Sequence, residues 1–514
     1  MKNKISIIPQ PVAVETKMGT FTFNQQTQIC YKPFAGIEKV AAYLADYLNS
    51  DNKTTECICA ECSNCINFKI NEDLTFDSDE GYKLVVNESN VLIEAKALNG
   101  LFYAVQTLKQ MMPSEIISTK VDEFSIPCVE ITDYPRFKWR GMHLDTARHI
   151  FPVSMVKTYI DMLALNKMNK FHWHLTEDQG WRIEIKKYPE LTKISSKRKA
   201  TPVLGDRETL DNVTYDGFYT QEEAKEIVQY AADRFVTVIP EIELPGHSVE
   251  VLAAYPDLGC TGGPYEVRCF WGVEKDVYCA GNPDVFTFLK DVFDEVLEIF
   301  PSKYIHIGGD ECPKDKWKEC PKCQATIKEH NLKDELGLQS WFIQKIEKYL
   351  NSKGRDMIGW DEILEGGLAP NATVMVWRNN GLKDATFAAN SGNDVIMSPQ
   401  NHCYFDHYQA KEEEPPAIGG FLPLEQVYAF NPIPPELSKD KHKHIIGGQA
   451  NVWTEYMPTV EQLQYMSYPR AFAIAERLWS DETFNDYEDF KARLPNTLKH
   501  LDQLGINYRK SIKN

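Results

Sequence analysis

No stretch of the sequence stays apolar for the ~20 residues that cross a bilayer, so membrane insertion is not expected. Positive charge is in deficit: 56 Lys and Arg stand against 74 Asp and Glu, a net charge of −18. Such a balance repels polyanions and anionic lipid, which removes nucleic acid from the expected partners. There is no Gly-x4-Gly-Lys-Ser/Thr loop, no dinucleotide glycine fingerprint and no His-Glu-x-x-His, so nucleotide and zincin chemistry lose their usual carriers. Low-complexity tracts and short internal repeats are also missing. The opening Met1-Lys2-Asn3-Lys4-Ile5-Ser6-Ile7-Ile8-Pro9 is basic, but its apolar stretch ends at Pro9. That is too short for a signal peptide. The expectation is a cytoplasmic chain, or a periplasmic or secreted one whose leader has been removed.

Cysteine is not scarce. There are 13, an odd number, so at least one is outside any intramolecular disulfide. Cys57, Cys59, Cys62 and Cys65 form a tight cluster, and Cys312, Cys320 and Cys323 a looser one. Tetrahedral zinc prefers two closely spaced pairs joined by a spacer, and neither cluster has both pairs. No metal is expected from the spacing; the cysteines read as free thiols, or as local disulfides in a secreted protein. Cys260, Cys269 and Cys279 share one loop region, with no pairing legible.

Residues 1–135 read as a separate small α/β unit. Thr20–Phe23, Gly81–Val86 and Asn90–Glu94 have strand character. Gly100–Met112 places Leu101, Ala104, Val105 and Leu108 at helical spacing. The charged, proline-containing text of Asp122–Pro135 reads as the joint to a second unit, residues 136–514. There, eight strand candidates alternate with helices: Trp139–Leu144, Lys170–Leu175, Thr237–Glu243, Tyr304–Gly308, Met357–Trp360, Thr373–Trp377, Asp394–Met397 and Ile445–Ala450. The helix candidates include Met155–Leu165, Gln221–Arg234 with Thr220 as N-cap, Asp284–Phe300, Leu338–Asn351 and Val460–Ala475. Eight strands with intervening helices over about 340 residues predict a (β/α)8 barrel. The fold class is thus α/β, a TIM barrel preceded by a small α/β domain.

Barrels of this kind place their active sites at the C-terminal ends of the strands, and acids or tryptophans stand at every one of these ends. The first strand runs into Asp145, Arg148 and His149, and the second, with His172 and His174 inside it, into Glu177 and Asp178. The third ends at Glu241, Glu243 and His247, and the fourth at Gly308-Gly309-Asp310-Glu311. Trp360-Asp361-Glu362, Trp377-Arg378, Tyr404-Phe405-Asp406 and Trp453-Thr454-Glu455 complete the ring. Singly, each has an ordinary structural explanation; together they converge on one mouth. Indole faces pack on the apolar C–H face of a sugar, and carboxylates bind its hydroxyls. Glycosidic cleavage needs a carboxylic acid to protonate the leaving oxygen and something to stabilise the cationic centre. Neighbouring side chains on a strand point to opposite faces, so Asp310 and Glu311 can share a ligand only if the backbone turns. Gly308-Gly309 permits that turn.

At these residues the sequence resembles glycoside hydrolase family 20, the β-N-acetylhexosaminidases. The resemblance runs from Ile7-Ile8-Pro9-Gln10-Pro11 to Gly505-Ile506-Asn507-Tyr508-Arg509. Its most specific motif is His306-x-Gly-Gly-Asp310-Glu311. Others are Arg140-Gly141 with Leu144-Asp145-x-Ala147-Arg148-His149, His172-Trp173-His174-Leu175 with Gln179-Gly180-Trp181-Arg182, and Pro245-Gly246-His247. The resemblance implies substrate-assisted hydrolysis without an enzyme nucleophile and without a cofactor. Glu311 would be the general acid and then the base, and Asp310 would hold the acetamido N–H. Tyr404 would bond the acetamido oxygen, and Trp360, Trp377 and Trp453 would line the N-acetyl pocket and sugar face. Arg140, Asp406 and Glu455 would bind sugar hydroxyls, and His247 and Glu177 would form a relay behind Glu311. The implied partner is a glycan ending in N-acetylhexosamine, acted on by a monomer or homodimer.

This sequence departs from the family pattern in three places. Glu177 and Glu243 stand where many relatives have Asp, and no tryptophan follows Asp406 before Trp453. Phe421, or a wall from a partner subunit, is the expected substitute. Three rival readings stay open. One is a disaccharide-releasing or sulfated-sugar enzyme of the same family, which the acidic text of Lys411–Pro416 disfavours for sulfate. Another is a catalytically silent glycan-binding protein, and the third is a metalloenzyme using His172 and His174.

Overall fold

The computed structural model describes residues 5–48, 54–57, 62–119 and 121–511. The N-terminal unit is a seven-stranded mixed sheet. Its strands are β1 (Ala13–Asn24), β2 (Gln28–Tyr31), β3 (Thr54–Glu56), β4 (Cys65–Ile70), β5 (Tyr82–Val86), β6 (Asn90–Ala95) and β7 (Glu123–Asp133), in the order β1-β7-β5-β6-β4-β2-β3. Helices α1 (Ile37–Tyr47) and α2 (Leu98–Met111) accompany it, with Leu101, Ala104, Val105 and Leu108 all buried. The segment expected to be a joint is instead β7, a long strand bonded on both sides, to β1 and β5. Pro127, which made it read as a linker, falls beside the register shift between Thr16 and Thr20 of β1. Proline is tolerated at such an irregularity because a ladder donor is missing there anyway. In the first cysteine cluster, Cys59 lies outside the described residues.

The second unit is a closed parallel barrel of eight strands, and all eight sequence candidates are in it. In chain order they are Trp139–Asp145, Lys170–His174, Thr237–Leu244, Tyr304–Gly308, Asp356–Trp360, Thr373–Val376, Val395–Met397 and Ile445–Ala450. The first strand closes the ring by pairing with both the eighth and the second. Residues two apart on a strand share a face, so the interior is layered. Trp139, Ile239, Ile358, Met375, Ile396 and Trp360 fill it as one apolar cluster. One step towards the mouth from Ile239, Glu241 begins a polar layer.

Thr220 caps the helix Gln221–Ala232 through a capping box with Glu223. The predicted helix Val460–Ala475 is in fact two, Val460–Ser467 and Arg470–Trp479. They part at Pro469, which has no N–H to continue the ladder.

Candidate active site

Arg140 is not at the mouth. It is the second residue of the first barrel strand, so it lies at the opposite end of the barrel and is wholly buried. Its guanidinium donates to both carboxylate oxygens of Glu80, at 2.7 and 2.9 Å, and to the carbonyls of Lys167 and Phe137. The expectation that it binds sugar is therefore corrected: its donors are spent on Glu80 of the N-terminal domain and on two barrel carbonyls, far from the mouth. Arg148, just past the C-terminal end of the same strand, takes the mouth position. Its Nη2 is 2.9 Å from Glu177 Oε2 and 3.9 Å from Glu455 Oε1, and its Nη1 is 3.5 Å from Asp145 Oδ2. The guanidinium also lies 5.2 Å from the Trp453 ring centre. Counting from the strand's end instead of its start would have selected it.

The backbone at the fourth strand turns as the glycines predicted. Gly308 and Gly309 have φ of +64° and +94°, and Glu311 itself has φ +43°. A non-glycine residue in this left-handed region costs energy, and that conformation lets two consecutive carboxylates stand on the same side. His247 joins them: its Nε2 is 3.6 Å from Asp310 Oδ2 and 3.7 Å from Glu311 Oε2, while its Nδ1 is 2.6 Å from Glu177 Oε1. The sequence-predicted relay residues are thus contiguous. Asp310 is nearly covered, at 13% side-chain exposure, whereas Glu311 is 44% exposed and reaches the opening.

The electrostatics divide these groups. Burial and the neighbouring Asp310 raise the Glu311 carboxyl above its ordinary range, against an opposing pull from His247. His247 is raised well above the usual imidazole value by Glu177, Asp178 and Asp310, which outweigh its own burial. Glu177 is held well below the carboxylate range despite burial, by Arg148, His247 and His174. Glu243 is pushed well up by burial, Asp310 and Glu241. Glu362, which the family motif did not single out, is pushed up to about 9 by burial, Asp310 and Asp361; its Oε2 accepts from Trp377 Nε1 at 2.9 Å. The signal that could have found it was its place directly after a barrel strand.

An aromatic enclosure faces this acid cluster. Trp377 and Tyr404 have near-parallel rings 6.0 Å apart; Trp453 lies 6.3 Å from Tyr404 and 6.0 Å from Trp360. Trp360 is pinned from below, where its Nε1 donates to Glu241 at 2.9 Å. Asp406 and Glu455 close another side, each raised by burial, and Asp406 also by Glu455. Asp310 Oδ1, Asp406 Oδ1 and Glu455 Oε2 are buried acceptors with no hydrogen-bond partner among the described residues. Unsatisfied buried acceptors are costly, and three of them around one opening fit a ligand rich in O–H and N–H donors. Phe421 is 41% exposed on the short strand paired with His407–Tyr408, with the Lys411 ammonium 5.8 Å from its ring.

His172 and His174 have a structural use. Both, with His306, surround the fully buried Glu241: His172 Nε2 at 3.1 Å, His306 Nδ1 at 2.8 Å, and His174 through Nδ1. This layer sits under the mouth and supports Trp360 and Glu177, whose Oε2 lies 3.3 Å from His174 Nε2.

Residues 137–482 match the profile described as glycosyl hydrolase family 20, catalytic domain, and residues 4–134 match that family's domain 2. A β-hexosaminidase of Porphyromonas gingivalis is 48% identical over 511 residues, which is 98% of this chain and 64% of that protein. The exo β-N-acetylglucosaminidase of Vibrio harveyi, solved in complex with N-acetylglucosamine, superposes with a TM-score of 0.87 at 32% identity, covering 98% of this chain and 78% of that one. The β-N-acetylhexosaminidase of Bacteroides fragilis superposes with a TM-score of 0.83 at 33% identity, covering 98% and 96%.

Proposed function

Since the chain belongs to glycosyl hydrolase family 20, we propose that it removes terminal, non-reducing β-linked GlcNAc or GalNAc from glycans, with retention and with the substrate's own acetamido group as nucleophile. The observation that carries this reading is the turned Asp310-Glu311 pair facing the aromatic enclosure.

In the first step the acetamido oxygen attacks the anomeric carbon as the glycosidic C–O bond breaks. Glu311 gives its proton to the departing oxygen; its raised affinity for that proton keeps it loaded above the ordinary carboxylate range. Asp310 accepts from the acetamido N–H and offsets the positive charge on the oxazolinium ring. Tyr404 donates to the acetamido oxygen, and Trp360, Trp377 and Trp453 hold the methyl group and the sugar face. In the second step Glu311 takes a proton from water, whose oxygen attacks the same carbon from the face the leaving group vacated. The ring reopens and the configuration is retained. Arg148, Asp406 and Glu455 bind the outer hydroxyls; two acids there suit a neutral sugar better than a sulfated one. Glu177 and His247 orient Glu311 and pass charge to it.

A chromogenic β-GlcNAc substrate tests this with wild type and Glu311→Gln. Loss of the acid should lower kcat by about 10²–10⁴-fold, and equal rates would refute the reading. A thiazoline analogue of GlcNAc, which mimics the cyclic intermediate, should inhibit far more strongly than the product sugar.

A further inference from the structure

Four cysteines from two distant loops meet beside the active site. Cys260 and Cys279 lie on the segment after the third barrel strand, and Cys320 and Cys323 flank the start of the helix Pro321–Glu329 after the fourth. Cys279 Sγ is 3.7 Å from both Cys320 Sγ and Cys323 Sγ, and Cys260 Sγ is 3.9 Å from Cys323 Sγ. All four sulfurs lie within 4.8 Å of one another. Zinc binds thiolate at about 2.3 Å, which sets the edge of an S4 tetrahedron near 3.8 Å. A pair of disulfides would instead draw the sulfurs into two bonded couples at about 2.05 Å.

The backbone is built around the same point. Cys320-Pro321-Lys322-Cys323 has the two-residue spacing of a zinc knuckle. The α-carbon of Gly281 presses against it so closely that a β-carbon there would lie 2.3 Å from the Lys322 carbonyl carbon. The Gly281 N–H is directed at the sulfurs of Cys279 and Cys323. Cys279, Cys320 and Cys323 are buried and Cys260 is partly so, so the centre is shielded from water on most sides.

We propose that Cys260, Cys279, Cys320 and Cys323 bind one structural zinc ion as a closed tetrathiolate site. Four soft sulfur ligands in a tetrahedron select zinc among the available divalent ions. Binding displaces the thiol protons to solvent, with no redox change. Spacing alone did not reveal the site, because the two halves are 41 to 63 residues apart. Its position gives it a task. Tyr278 N–H donates to the carbonyl of Pro245, two residues before His247, at 3.1 Å, and Trp317 Nε1 donates to the Tyr278 carbonyl at 2.9 Å. The ion therefore ties the loop that carries His247 to the loop that follows Glu311.

The test is the metal content of the intact protein purified from zinc-supplemented medium without chelator. Mass spectrometry of the metals should find about one zinc per chain. Chain produced with cobalt instead should show the intense visible bands and the thiolate charge-transfer band of a tetrahedral S4 site. A Cys279→Ser/Cys323→Ser chain should lose the metal, and Cys269→Ser, a loop cysteine outside the cluster, should keep it. Wild-type protein without stoichiometric zinc, or with iron in its place, overturns the proposal. So does a disulfide within this set in peptide mapping. Should the double variant not fold, metal content and the cobalt spectrum of the wild-type sequence decide the matter alone.

Discussion

The carboxylate of Glu243 occupies the space above the α-carbon of Gly308: a β-carbon built there would lie 1.6 Å from Glu243 Oε2. Gly308, two residues before Asp310, is therefore required twice, for its φ of +64° and for the acid packed on it. A side chain in that backbone region costs about 1–2 kcal/mol by itself. Gly308→Ala should cost more than this in thermal or denaturant unfolding. Removing the obstructing acid with Glu243→Ala should make the alanine at 308 less damaging than it is alone. Strict additivity of the two changes would show that the contact is not the cause.

The two arginines of the first barrel strand and its loop should separate in their kinetics. Arg140→Met leaves Glu80 without its bidentate partner and should cost about 3–5 kcal/mol of stability, with KM unchanged in the surviving folded protein. Arg148→Met strands the buried Glu177 and Asp145 and should cost stability as well, but in the folded protein it should also lower kcat/KM by at least about tenfold, because it frees Glu177 and removes a donor for sugar hydroxyls. Melting curves beside Michaelis kinetics check both. A normal kcat/KM in the Arg148 variant would remove it from the site.

Asp310 is one cause of the raised Glu311 carboxyl. In the proposed mechanism Glu311 acts as an acid only while protonated, so activity should fall as pH rises through its folded-state pKa. In Asp310→Asn the negative neighbour is gone and the proton leaves at lower pH. The basic limb of kcat/KM should accordingly move to lower pH, on top of a reduced maximum. A limb that stays in place, or moves up, would assign it to another group.

Glu362 should leave a signature in stability instead. Its folded-state value is about 9, against an ordinary 4.5 in the unfolded chain. Between those values the folded protein keeps a proton that the unfolded chain releases, so this group's contribution is full at low pH and is lost as pH rises. Glu362→Gln should flatten the decline of unfolding free energy from about pH 5 to 9. An unchanged slope in urea titrations at several pH values would contradict that assignment.

The barrel was legible because its strands carry their own punctuation: each apolar run ends in an acid or an indole, and alternation marks which side faces in. Asp310-Glu311 was legible for the same reason, with two glycines announcing the turn. Arg140 was misplaced because a motif records which residues occur together, not which end of a strand they occupy. β7 was misread because its pairing with β1 joins residues as distant as Ala13 and Thr132, and no local pattern contains a partner that far away. Pro469 was passed over because the helical spacing continues on both sides of it.

At the foot of the barrel, Arg140 and Lys167 are neutralised from outside it, by Glu80 and by Asp133, the latter at 2.7 Å with both side chains fully buried. Without the N-terminal sheet both pairs would be lost, and the apolar residues that the two units bury as one cluster would be opened to water. The barrel is thus not a free-standing part. The two units should melt in a single transition and be inherited or transplanted only as a pair; a barrel cut free near residue 136 would carry the candidate site and lack its foundation.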